Sequence, residues 1–145
     1  MKGEDLLSFL GQAFPKLDVA PYRVLEATPD RLRLGFVANE EHLRPGDTIS
    51  GPTLMALADT AAYLLLVERA GGWLENGSPN AAARSVTSAL NITFLRRPKG
   101  KSIVADASLL RAGRRLAVVD VRIGPEDGGE IAAHATVTYA YPDGG

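Results

Sequence analysis

Residues 52–67 read PTLMALADTAAYLLLV, an apolar run with a single charged side chain, Asp59. At sixteen residues with an acid inside, the run is too short and too polar to span a membrane. Its spacing predicts a buried helix over 52–69. Ser50 stands where an N-cap belongs, Pro52 falls in the first turn where a missing N–H costs nothing, and Gly71-Gly72 supplies the stop.

Working outward, residues 42–52 (HLRPGDTISGP) form a loop rich in Gly and Pro that leads into this helix, and residues 73–83 (WLENGSPNAAA) form a surface loop behind it. The second loop is long enough to act as a lid or a partner contact. Residues 4–13 carry Leu6, Leu7, Phe9 and Leu10 at partly helical spacing, which predicts a short amphipathic helix before Pro15. Two strands are expected at 22–28 and 31–38, joined at Thr28-Pro29-Asp30. Four more are expected at 85–97, 102–111, 115–124 and 130–141, where Leu90, Ile92 and Phe94 share one face, as do Val119, Val121 and Ile123. One apolar helix followed by an antiparallel meander is an α+β layout, with a curved sheet wrapped around a long central helix.

The chain has 145 residues, which suits a single domain spanning 1–145. A net charge of -1 gives no global electrostatic case for nucleic acid or an anionic membrane. With no cysteine, disulfides, thiol nucleophiles and cysteine-zinc sites are excluded. The early acids Glu4 and Asp5 do not read as a signal peptide, so a cytoplasmic location is expected. No HExxH, phosphate-binding glycine loop or GxSxG elbow is present. His42 and His134 are too far apart to make a metal motif, so no metal is expected. His134 shares a strand face with Thr136 and Thr138 as an ordinary sheet residue, and His42 lies where it could line the mouth of a site.

Asp59 carries the chemistry. On a helix it shares a face with Met55, Ala62 and Leu66, and burial without partners would cost its carboxylate several kcal/mol of lost hydration. Either it faces solvent or pairs with an arginine, or it is held in a cleft as a general base or nucleophile. Gly51, at the helix start, lets a ligand approach first-turn N–H groups that have no intrahelical acceptor and can polarise a carbonyl. Eight residues put the two groups about 12 Å apart along the axis, while a nucleophile must lie about 3–3.5 Å from the atom it attacks. One helix cannot serve one carbonyl with both. If both act, two copies of the helix must meet across a two-fold axis, which predicts a homodimer.

The stretch HLRPGDTISGPTLMALADTAAY, with ALNITFLRRP, GRRLAVVDV and AAHATVTY in order after it, resembles the hotdog-fold thioesterases of the phenylacetate-degradation (PaaI-type) group over about residues 40–141. The resemblance implies a hotdog fold and hydrolysis of an acyl- or aryl-coenzyme A thioester, with coenzyme A as part of the substrate and no further cofactor. It gives the carbonyl-polarising amide to Gly51 and the acid, working across the subunit boundary, to Asp59. Thr87, four residues before Asn91, takes the place of a hydroxyl that positions water. The family histidine falls on Ser50, its second glycine on Pro52 and its asparagine near Arg44. The resemblance further implies a homotetramer. It places Phe94 near the pantetheine and gives the phosphates to Arg96, Arg97, Arg114 and Arg115. Those arginines belong to two basic turns, Arg96 to Lys101 and Arg111 to Arg115, which a meander sets at opposite ends of the sheet, so one chain cannot present both to one ligand. Arg44, Met55, Ala62, Tyr63 and Leu66 are expected to line the substrate pocket, the last four as its apolar acyl or aryl part. A non-catalytic acyl-CoA-binding module and an enoyl-CoA hydratase or dehydratase are the alternatives.

Overall fold

The computed structural model describes residues 2–98 and 100–142. Lys99, a member of the first basic turn, lies outside them. Helix α1 (Gly3–Ala13) precedes strands β1 (Tyr22–Ala27) and β2 (Arg31–Val37). A short 3-10 turn at Glu40–His42 and a small hairpin, β3 (Leu43–Arg44) and β4 (Thr48–Ile49), lead into helix α2 (Gly51–Arg69). After it come a second small hairpin, β5 (Leu74–Glu75) and β6 (Ser78–Pro79), and the long strands β7 (Val86–Phe94), β8 (Ser102–Ala112), β9 (Leu116–Pro125) and β10 (Ala133–Ala140). The main sheet is antiparallel, in the order β1-β2-β8-β9-β10-β7.

α2 lies against β2, β7, β8, β9 and β10, so the sheet wraps it. Alternation along the strands supplies the inner wall: Leu32, Leu34, Ile103, Ala105, Ala107, Val119, Val121, Ala135 and Val137 are all buried. α2 begins where the sequence puts it. Ser50 caps the helix by accepting from the Thr53 N–H, and Gly71 and Gly72, both at positive φ, close it by donating to Glu68 and Val67 carbonyls. The buried helix expected over 52–69 is most fully enclosed in the C-terminal half of α2. Ala61 through Val67 are all buried, two full turns with no outward side. Ala62 and Leu66 therefore pack in the core and do not line a pocket beside Asp59.

The N-terminal half of α2 differs. Met55 is 40% exposed, and Pro52 and Ala56 on the same stripe are exposed too. In a single chain Met55 is a surface residue and not a pocket wall. The 73–83 segment is anchored as well as exposed: Trp73 stacks on Phe9 of α1 with ring centres 5.1 Å apart, and the Asn80 side chain donates to the Gly72 carbonyl at 2.8 Å.

Leu64 is fully buried inside the sheet, and its replacement by alanine leaves a cavity that the surrounding strands cannot close. Leu64→Ala is expected to lower unfolding free energy by about 3 kcal/mol in urea titrations, with the native secondary structure retained.

Candidate active site

Asp59 sits half-buried where the exposed stripe of α2 meets β7 and β10. Its Oδ1 accepts from the Thr87 hydroxyl at 2.7 Å and from the Tyr139 hydroxyl at 2.8 Å. Its Oδ2 has no hydrogen-bond partner among the described residues, yet is not one of the sealed, unsatisfied buried atoms, so it keeps accessible surface on a residue that lines a cavity. This cavity, of about 290 Å³, is lined by Leu10, Phe14 and Leu17 from α1 and its exit, by Thr60 and Tyr63 of α2, and by Ser85, Val86, Thr87 and Tyr139.

Strand alternation alone turns Thr87 the wrong way. Leu90 and Ile92 face α2, so strict period two would give the inner positions to even-numbered residues and send Thr87 outward. A bulge corrects this. The β7–β10 register steps from Ala89 opposite Thr138 to Thr87 opposite Tyr139, leaving Ser88 as the extra residue. Thr87 and Tyr139 thereby face inward as cross-strand neighbours, with Asp59 between them.

Tyr139 was not among the residues singled out in the sequence. A signal existed: it continues the buried face of Ala133, Ala135 and Val137, and a buried tyrosine hydroxyl needs a partner. Burial raises its pKa far above the ordinary phenol value, and the Asp59 charge raises it further, against a lowering by the Thr87 hydrogen bond. Tyr63 stacks on Tyr139, ring centres 5.8 Å apart, but gives its own hydroxyl to the Ala83 carbonyl at 2.6 Å. Burial pushes the Tyr63 phenol up to about 12.

A second cleft, of about 560 Å³, opens at the other end of β7 and holds Arg44, Thr48, Gly51, Pro52, Phe94, Arg96 and Arg97. The Phe94 ring lies against Gly51, with its Cζ 3.4 Å from where a β-carbon would stand. The amides of the first turn of α2 are largely spent. Pro52 has none, Thr53 donates to the Ser50 hydroxyl at 3.3 Å, and Leu54 donates to the Ser50 carbonyl. The Gly51 N–H alone in that turn has no acceptor among the described residues. Ser50 is engaged as the helix cap, and its hydroxyl also bonds that of Thr53 at 2.7 Å. Arg97 has no acidic partner among the described residues. Arg96 is held by Glu130 and by the Ile131 carbonyl.

Arg114 and Arg115 lie at the β8–β9 turn, where the Arg115 carbonyl accepts from Tyr141, whereas Arg96 bonds Ala132 at the opposite end of β10. Leu66 lines a separate depression with Arg69 and Tyr141. Neither histidine reaches Asp59. His134 pairs with Asp120 at 2.5 Å on the outer side of the sheet, and His42 accepts from the Asn39 N–H within the 3-10 turn, with its ring against Phe36.

The model of the thioesterase superfamily matches residues 46–132, more than half of the chain. The protein belongs to the thioesterase superfamily. This places it among hydrolases and names its wrapped helix as a hotdog fold. A Deinococcus radiodurans protein described as a candidate esterase is 26% identical over 123 residues, covering 84% of this chain and 75% of the relative. A candidate thioesterase from Silicibacter sp. superposes with a TM-score of 0.79 at 28% identity, over 98% of this chain and 92% of the other. A hypothetical thioesterase from Streptococcus pneumoniae, solved with coenzyme A, shares the fold at 18% identity with a TM-score of 0.71, over 96% and 95% of the two chains. In this superfamily member, Asp59 and Gly51 occupy two separate cavities.

The two buried phenols give a pH signature. The folded protein holds them neutral where an unfolded chain ionises them, so their contribution to stability is complete below the ordinary phenol value of 10 and drains as pH climbs towards about 12. The urea midpoint is expected to fall over that interval, and less steeply in Tyr63→Phe.

Proposed function

We propose that the protein hydrolyses acyl-coenzyme A thioesters at a site shared by two subunits. The Gly51 amide of one subunit polarises the thioester carbonyl, and Asp59 of the facing subunit drives the attack. The observation that carries this reading is the division of the machinery: in one chain the unclaimed Gly51 amide and the open Asp59 oxygen line different cavities at opposite ends of β7.

The edges of the sheet favour pairing across β7. β1, at the far edge, is guarded by a bulge at Val24/Glu26, by the charges of Arg23 and Glu26, and by packing of α1. β7 has no charge and no proline, and seven of its nine residues are exposed, a template left open for a second strand. A two-fold axis near the middle of β7 sets the Thr87 end of one strand beside the Phe94 end of the other. It also covers the stripe of Pro52, Met55 and Ala56. The Asp59 cavity then adjoins the cleft that holds Gly51 of the partner subunit.

In that cleft, Phe94 and the rim of Arg44, Arg96 and Arg97 suit the pantetheine and phosphates, in keeping with coenzyme A in the Streptococcus relative. Arg114 and Arg115 reach a phosphate only from a different chain, so their part belongs to a higher assembly such as a tetramer. The acyl group lies in the apolar cavity of Leu10, Phe14, Leu17, Tyr63 and Val86, next to the open Oδ2. A water oxygen bonds to the carbonyl carbon as Asp59 takes its proton. The C–S bond then breaks, and the proton passes to the departing thiolate. Direct attack by the carboxylate, with water opening the resulting anhydride, gives the same products. Hydration of an enoyl group is less well served, because no histidine lines either cavity.

Asp59→Asn is expected to lower kcat for released thiol by about a hundredfold or more across a panel of acyl-CoA compounds. Complementation checks the shared site. Asp59→Asn and Gly51→Val are each inactive alone, and an equal mixture of the two, paired at random, regains about a quarter of wild-type activity, because half of the dimers are mixed and each of those has one intact site of two. No recovery in confirmed mixed dimers would place both groups in one chain and sink the proposal. Phe14 is 47% exposed at the rim of the acyl cavity, so Phe14→Ala is expected to move kcat/KM towards bulkier acyl groups.

A further inference from the structure

We infer that Tyr139 is a positioning residue for this reaction: with Thr87 it pins one oxygen of Asp59 and so selects the other, Oδ2, as the oxygen that does the chemistry. This inference rests on the hydrolytic reading above and deepens it. A free carboxylate rotates, and its two oxygens are equivalent. Here they are not.

The two hydroxyls approach the same oxygen, at 2.7 and 2.8 Å, from adjacent strands. The Tyr139 hydroxyl also lies 3.2 Å from the Asp59 backbone carbonyl, a longer second acceptor for its one proton on the same residue. Oδ1 thus has its donors supplied by the protein, and a third partner would have to displace one of them. Oδ2 has no protein partner among the described residues and keeps accessible surface on a residue that lines the cavity, so it is the one oxygen free to meet a water or a carbonyl carbon.

Several features hold the clamp rigid. Tyr139 is 4% exposed, and its ring stacks on Tyr63, whose hydroxyl is fastened to Ala83. The bulge at Ser88 brings Thr87 into register with it. Buried as it is, the phenol stays protonated across the working pH range and donates throughout. A rotamer locked in this way meets the geometric demand of attack, in which a misplacement of the order of 1 Å costs about a hundredfold in rate.

The test is a double-mutant cycle in the intact protein. It uses wild type, Tyr139→Phe, Asp59→Asn and the double variant, with kcat and KM read from thiol release and thermal melts run alongside. Phenylalanine keeps the ring and its stacking and removes only the hydroxyl. Tyr139→Phe is expected to lower kcat at least about tenfold and leave KM within about twofold. The double variant should be no slower than Asp59→Asn, because the hydroxyl has nothing left to position. Thr87→Val should behave like Tyr139→Phe, and Thr87→Ser should restore most of the rate.

Wild-type kcat in Tyr139→Phe would overturn the inference. So would an equal fold-loss in both backgrounds, because the hydroxyl would then act elsewhere than through Asp59. An Asp59→Asn protein that runs at full speed removes Asp59 from the reaction and overturns the inference with it, whereas a wild type that releases no thiol from any acyl-CoA compound defeats the hydrolytic reading itself, so the two failures are told apart.

Discussion

The structure depends on the enclosure of α2. Seven consecutive residues, Ala61 to Val67, have no exposed side, so a single layer resting on one face of the helix would leave apolar side chains in water. The sheet must curl around the helix, and its inner wall of small and branched residues lets the strands come close enough to do so. Once that enclosure is set, little freedom remains for the polar groups at its margin. Asp59 sits where the buried segment gives way to the exposed stripe, two residues before the helix becomes inaccessible. There a carboxylate can keep one oxygen bound and one open.

The two edges of the sheet divide the labour. β1 is blunted by charge, bulge and the covering helix, and β7 is left uncharged and bare. That asymmetry agrees with the split of the two cavities along β7. In the proposed reaction the Gly51 amide and the Asp59 carboxylate are each incomplete alone, and the same strand that separates them in one chain would join them in a pair.

Most of the fold was legible in the sequence, because its signals are local and agree with one another. The Ser50 cap, Pro52, the apolar run and Gly71-Gly72 delimit α2 to within a residue, and the alternation of β9 and β10 fixes which faces are inward. The site was legible only in part. Asp59 stood out as a charge in an apolar run, and the eight-residue spacing from Gly51 already required a second copy if both were to act. Ala62 and Leu66 were misplaced because helical periodicity assigns faces only while a helix has an outside. Thr87 came from resemblance, since alternation points it away from the helix and no local residue type announces the Ser88 bulge. Tyr139 was missed because its partner lies eighty positions away in the chain, and only the closed sheet brings the two together.

The register of β7 bears on the order in which the molecule can be built. Residues 86–94 find their neighbour in residues 133–140, beyond the β8–β9 hairpin in the chain. On the ribosome the strand that holds Thr87 has no hydrogen-bonded neighbour on either side until the last long strand emerges, an interval in which an uncharged ribbon is open to wrong pairings. Tyr139 belongs to that last strand. The clamp on Asp59 therefore closes only when the sheet does, and a chain halted before residue 139 carries the acid and the amide without the grip that orients the acid.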